Sequence, residues 1–149
     1  MSIQNGYEPT LIKSTGEINQ NMPSWILKKV LSYFPYEKMK KIKILLLGIS
    51  YKKNVDDDRE SPTFNFMKIL NKKKIHYSYS DPFFKKIRPG RKNLKSIKSI
   101  KLNPSNLKKY DCAIIITDHD NFNYHLIAKN SKMVFDTRGV YKNKIHNKF

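Results

Sequence analysis

The stretch 41–62, KIKILLLGISYKKNVDDDRESP, constrains the fold most, because its character changes three times and each change asks for a different structure. Ile42, Ile44, Leu45, Leu46 and Leu47 form an apolar run too short for a helix and closed by Gly48, the mark of a strand buried on both faces of a parallel sheet. Tyr51, Lys52 and Lys53 then fall just past the carboxyl end of that strand, the edge where open α/β sheets hold ligands, and Asp56, Asp57, Asp58, Arg59 and Glu60 follow. Ser61 is a good N-cap and Pro62 is pre-set for a first helical position, so a mixed-charge loop is expected between a strand end and a helix start.

The rest of the chain repeats this alternation. Phe64, Met67, Ile69 and Leu70 give the next helix its apolar face, and 75–80 alternates as a second strand stopped by Asp81 and Pro82. The region 83–99, with Pro89, Gly90 and Arg91, reads as loop, with Ile97 and Ile100 candidates for a short strand. Asn103, Pro104 and Ser105 look like a helix start, CAIIIT like a buried strand, Asn121 or Asn123 like the opening of another helix, and Met133 to Phe135 like a last strand ending at Asp136, Thr137 and Arg138. Such alternation predicts an α/β fold, a Rossmann-like doubly wound parallel sheet of about four to six strands. Three strand ends carry polar residues, namely Tyr51 and Lys52, then Thr117, Asp118 and His119, then Asp136, Thr137 and Arg138, which predicts one ligand crevice.

Before this domain, 11–34 has helical periodicity. Ile18, Met22, Ile26 and Val30 recur every four residues, with Leu11, Trp25 and Phe34 near the same face, and Pro23 is expected to kink or divide the helix. The expected organisation is an N-terminal connecting helix with a short basic linker over 1–40, starting from a frayed or cut 1–9, then a binding domain over 41–140 and a basic, disordered tail over 141–149.

Composition narrows the function. Lys and Arg number 30 against 12 Asp and Glu, a net charge of +18, which alone would favour a polyanion such as nucleic acid. The lysines are scattered through every element alongside Asn and Ile, however, so they read as a compositional bias and no specific nucleic-acid partner is expected. Cys112 is the only cysteine, which excludes an internal disulfide, and its place in an apolar strand makes it a buried structural thiol. His119 lies between Asp118 and Asp120 but lacks a second histidine at ligand spacing; TDHDNF is read as a loop whose carboxylates cap the following helix, and no metal site is expected. Asp81 before Pro82 is read as shaping a turn. No apolar run reaches membrane-spanning length and no signal-peptide pattern is present, so a cytoplasmic protein is expected.

The segment GISYKKNVDDDRESP resembles the start of the C-terminal, UDP-binding domain of the UDP-glucose/GDP-mannose dehydrogenase family, and within it the bacterial UDP-N-acetylglucosamine 6-dehydrogenases. GEINQNMPSWILKKV before it, YSDPF after it, and YDCAIIITDHDNF with MVFDTRGVY near the end agree in order and spacing. The resemblance implies that Tyr51 and Lys52 meet the nucleotide sugar, that Arg138 reaches the substrate, and that Arg59 contacts NAD bound by another domain. Lys53 is expected to face solvent. It further implies a long helix before the domain that joins it to a cofactor domain and packs in a homodimer; the residues themselves equally allow an amphipathic helix folded back on its own domain. The family oxidises a sugar C6 alcohol in two NAD-dependent steps through a cysteine thioester. Its cysteine loop, GxGxxG fingerprint and assisting Lys and Asn lie upstream of the GEIN stretch, so no catalytic residue is expected here. The expectation is the C-terminal portion of such an enzyme, whether a fragment, a split gene product paired with an NAD-binding half, or a decayed copy, and inactive alone. The alternatives are a freestanding nucleotide-binding or regulatory module and a basic nucleic-acid-binding protein.

Overall fold

Strands β1 (Lys43–Leu47), β2 (His76–Ser80), β3 (Cys112–Ile115) and β4 (Val134–Asp136) form one parallel sheet in the order β2-β1-β3-β4. This computed structural model describes residues 10–87, 94 and 96–142, with side chains from residue 21 onward. Helices α2 (Pro62–Lys72), α3 (Pro104–Leu107) and α4 (Tyr124–Asn130) connect consecutive strands, so the α/β alternation read from the sequence is the observed topology.

The apolar run of β1 is buried on both faces, and the pleat sorts its side chains. Ile44 and Leu46 join Phe64, Met67 and Leu70 of α2 in one core, while Leu45 and Leu47 join Leu107, Phe122 and Ile127 in a second core on the opposite face. Helices on both faces make the sheet doubly wound. The helix starts follow the capping residues: Ser61 Oγ accepts from the Thr63 amide, Asn103 Oδ1 from that of Asn106 and Asn123 Oδ1 from that of Leu126. Carboxylates of TDHDNF therefore do not cap α4, because Asn123 already does. Ile97 and Ile100 belong to none of these strands; Lys86 and Lys98 form an isolated antiparallel bridge, and the Ile100 amide donates to the Tyr79 carbonyl of β2. Pro89, Gly90 and Arg91 lie outside the described residues.

Helix α1 (Thr10–Leu31) runs through Pro23 undivided. Ile26, Leu27 and Val30 are buried in the core shared with α2, so this half of the helix is folded back on its own domain. Met22 and Trp25, expected on the same face, are exposed, Trp25 to 59%. Among the described side chains of α1 the buried face is formed by Pro23, Ile26, Leu27 and Val30 rather than by Met22, Ile26 and Val30. The side chains of Leu11 and Ile18, and all of 1–9, lie outside the described residues. At the other end, Tyr141 is part of the domain rather than of a disordered tail: its amide donates to Asp136 Oδ2 and its hydroxyl to the Tyr124 carbonyl, and its phenol is pushed up to about 12 mainly by burial. Residues 143–149 lie outside the description.

Candidate functional site

Strand β1 pairs with β2 on one side and β3 on the other, so the topological switch point lies between the carboxyl ends of β1 and β3. Hydrogen bonds cross it. The amides of Ile116 and Thr117 both donate to the Leu47 carbonyl, Thr117 Oγ1 donates to the Ser50 carbonyl at 2.8 Å, and Thr63 Oγ1 donates to the Gly48 carbonyl at 3.0 Å. Gly48, at φ +88°, touches Thr117 so closely that a Cβ there would stand 2.5 Å from the Thr117 Cβ.

Beside it lies a buried acid and imidazole. Asp81 Oδ2 accepts from the amides of Ile49 (2.7 Å) and Ser50 (3.2 Å) and faces His119 Nε2 at 3.2 Å, while Oδ1 accepts from Phe83 (2.8 Å) and Phe84 (3.2 Å). Burial pushes its pKa up, but the hydrogen bonds from His119, Ile49 and Phe83 outweigh that and hold the carboxyl below the ordinary aspartate value. The turn-shaping role read for Asp81 is thus real and covers one of its two oxygens. His119 is fully buried, with Nδ1 3.0 Å from the Asn54 amide and its ring between Phe83 and Phe122. The sequence offered no local sign of this pairing.

The loop 118–120 ties the neighbouring strand ends together. Asp118 Oδ1 accepts from Arg138 Nε at 3.0 Å, and Asp120 accepts from Asn54 Nδ2 at 2.6 Å and from Lys53 at 2.6 Å. Lys53 is therefore ion-paired rather than simply solvent-facing, and its ammonium is held charged by that hydrogen bond. The loops carrying Tyr51, Lys52 and Arg138 are thereby joined through one short segment. Lys52 lies over the Tyr51 ring, 5.4 Å from its centroid, with the ring exposed. Arg138 keeps 49% of its side chain exposed, and since only Nε meets Asp118 its terminal nitrogens remain presentable to an anion. Asp136 shapes this turn by accepting from the amides of Arg138, Gly139 and Tyr141. Arg59 is 79% exposed and closed on Asp57 through Nε and Nη2, an ion pair within its own loop, and the Asp57 carbonyl accepts from the Tyr51 amide.

A cavity of about 450 Å³ opens beside the end of β2, lined by Ser80, Pro82, Lys85, Lys101 and Phe122, and none of Tyr51, Lys52, Arg59 or Arg138 borders it. Cys112 is buried in β3 with its thiol pushed up to about 12 mainly by burial, which leaves no thiolate for nucleophilic chemistry. Among the described residues, no group of three His, Cys, Asp or Glu could hold a metal ion and no helix is long and apolar enough to cross a membrane.

A family model described as the UDP-glucose/GDP-mannose dehydrogenase family, UDP binding domain, matches residues 45–143. The UDP-N-acetyl-D-mannosamine dehydrogenase of Methanococcus maripaludis (strain C7) is 31% identical over 147 residues, covering 92% of this chain and 32% of the relative. The structure of UDP-N-acetyl-mannosamine dehydrogenase from Staphylococcus aureus superposes with a TM-score of 0.61 at 26% identity, over 90% of this chain and 31% of that one. GDP-mannose dehydrogenase from Pseudomonas aeruginosa superposes with a TM-score of 0.66 at 18% identity, over 90% and 32%, a likeness of fold alone. The chain thus spans 32% of the length of that curated relative. The sugar named for the more similar relatives is N-acetylmannosamine, not the N-acetylglucosamine of the sequence reading.

Proposed function

The chain belongs to the UDP-glucose/GDP-mannose dehydrogenase family through its UDP binding domain, and on that premise we propose that it is the UDP-sugar-binding portion of an NAD-dependent nucleotide-sugar 6-dehydrogenase. The substrate is a UDP-N-acetylhexosamine whose C6 alcohol becomes a carboxylate, in the cytoplasm and for polysaccharide biosynthesis. The match over 45–143 carries the reading, because every candidate contact falls inside it. Tyr51 and Lys52 meet the nucleotide sugar and Arg138 grips an anionic oxygen, each from an exposed loop past a strand end. NAD supplies the hydride acceptor from a separate half. Arg59, with Nη1 outside its bond to Asp57, faces that cofactor.

Titration calorimetry of the chain with UDP, UDP-N-acetylmannosamine and UDP-N-acetylglucosamine tests this. Weak binding is expected, because one wall of the site is here, and Lys52→Ala or Arg138→Ala should each weaken it by about 1 to 3 kcal/mol. Lys129→Ala, at the far end of α4 and so near the opposite edge of the sheet, should leave affinity unchanged. The purified chain should produce no NADH with any of these ligands, since Cys112 is not a nucleophile. No heat at millimolar ligand in a folded chain, or equal losses in all three variants, would overturn the assignment.

The same reading includes a homodimer through α1. Met22 and Trp25, three residues apart in α1, and Tyr33 in the turn just after it are all exposed large hydrophobic residues. Sedimentation should show a dimer that Trp25→Asp shifts towards monomer; a wild-type monomer at high concentration would rule it out.

A further inference from the structure

We propose that His119 is the positioning residue of the ligand loop, holding the backbone that carries Tyr51 and Lys52 by accepting the Asn54 amide on Nδ1, with Asp81 fixing the tautomer that makes this possible. The inference deepens the UDP-sugar reading and rests on it for the ligand. The tautomer follows from the neighbours. Asp81 Oδ2 is an acceptor already facing two backbone amides, so the nitrogen it meets, Nε2 at 3.2 Å, carries the hydrogen. Nδ1 then has a lone pair, and it points at the Asn54 N–H at 3.0 Å. The ring cannot swing away: it has no exposure, and Phe83 and Phe122 stand 5.1 and 5.4 Å from its centroid.

What this holds is the reversal of the loop. Asn54 has φ +58°, a left-handed conformation that asparagine tolerates better than most residues, and it lies two residues after Lys52. Its side chain exchanges two hydrogen bonds with Asp120, and Lys53 joins the same carboxylate. These outer contacts are exposed and screened, whereas the imidazole contact is part-buried and made by a ring with no exposure. The end of β2 thus holds the start of the ligand loop directly, through Asp81 on the Ile49 and Ser50 amides, and its far side through the buried ring, which belongs to the segment that also holds Arg138.

Two replacements separate positioning from packing. Asparagine keeps an oxygen near the place of Nδ1 and loses the reach to Asp81; glutamine keeps a donor near the place of Nε2 and loses the Asn54 contact. His119→Asn should bind UDP-N-acetylmannosamine within about twofold of wild type, while His119→Gln should bind about tenfold more weakly, the loss of one buried hydrogen bond. Hydrogen exchange of the Asn54 amide should be fast in His119→Gln and slow in the other two. Equal weakening in both variants, or slow Asn54 exchange in His119→Gln, would overturn the proposal. If neither variant folds, ¹⁵N spectra of the unmodified imidazole decide: a bare Nδ1 with Nε2–H is expected, and a hydrogen on Nδ1 at neutral pH refutes it. Should wild type bind no UDP-sugar, the functional reading fails, and the exchange data still show whether His119 holds the loop.

Discussion

Gly48→Ala is expected to destabilise the chain by roughly 3 kcal/mol or more, a large part of the stability available to a domain of this size. Two costs combine. At φ +88° any L side chain is strained, and the new Cβ would stand 2.5 Å from the Thr117 Cβ, 2.6 Å from its carbonyl oxygen and 2.9 Å from its Cα. These are backbone or near-backbone atoms, held by the Ile116 and Thr117 amides on the Leu47 carbonyl, so relief requires β1 and β3 to part at the point where the strands are most tightly joined. Gly139→Ala is the informative comparison. It has a similar φ of +74°, but its Cβ would meet only the far end of the Lys142 side chain, which can swing away. It should cost about 1 to 2 kcal/mol, the conformational part alone. Urea unfolding of the two variants measures the difference; equal costs would show that the approach of Gly48 to Thr117 is not what glycine serves there.

Asp81→Ala should cost about 4 kcal/mol or more, since it leaves several donors without an acceptor in the interior: the amides of Ile49, Ser50, Phe83 and Phe84 and the imidazole of His119. The same group has a pH signature. The Asp81 carboxyl is held below its ordinary 3.8 in the folded chain, so the unfolded chain binds the proton more readily. Its contribution to stability is therefore fully present above about 3.8 and is lost as pH falls through the lower folded value. Asp111 adds in the same direction. Burial opposes, but Lys132 and the Lys43 amide hold its carboxyl low as well. Stability measured against pH should fall on this acid side in wild type, and the fall should be shallower in Asp81→Asn. An unchanged acid limb in that variant would mean that Asp81 is protonated in the fold already.

Much of the fold was legible because its determinants are local. The apolar run ending in Gly48, the Ser61 and Pro62 helix start and the Asn103 and Asn123 caps each act within a few residues, where steric preference and nearest-neighbour hydrogen bonding decide the outcome. The positions of Tyr51, Lys52 and Arg138 past strand ends were legible because the strands are, while their roles as ligand contacts came from the family resemblance and are proposed. Lys53 is solvent-facing as read, with 46% of its side chain exposed, but its ion pair was not legible because the partner, Asp120, comes from a different strand end.

The sequence by itself determined the strand and helix order, the two-sided burial of β1 and β3 and the polar residues that follow the strand ends. Tertiary structure alone decided that Trp25 faces outward, that Tyr141 is anchored to Asp136 and Tyr124, and that His119 links Asp81 to Asn54. These last partners are 38 and 65 residues apart in the chain. No local preference brings such groups together. They meet because parallel pairing of β1 with β2 and β3 carries three loops to one edge, where an acceptor-only carboxylate, an imidazole and a backbone amide can exclude water only by satisfying one another.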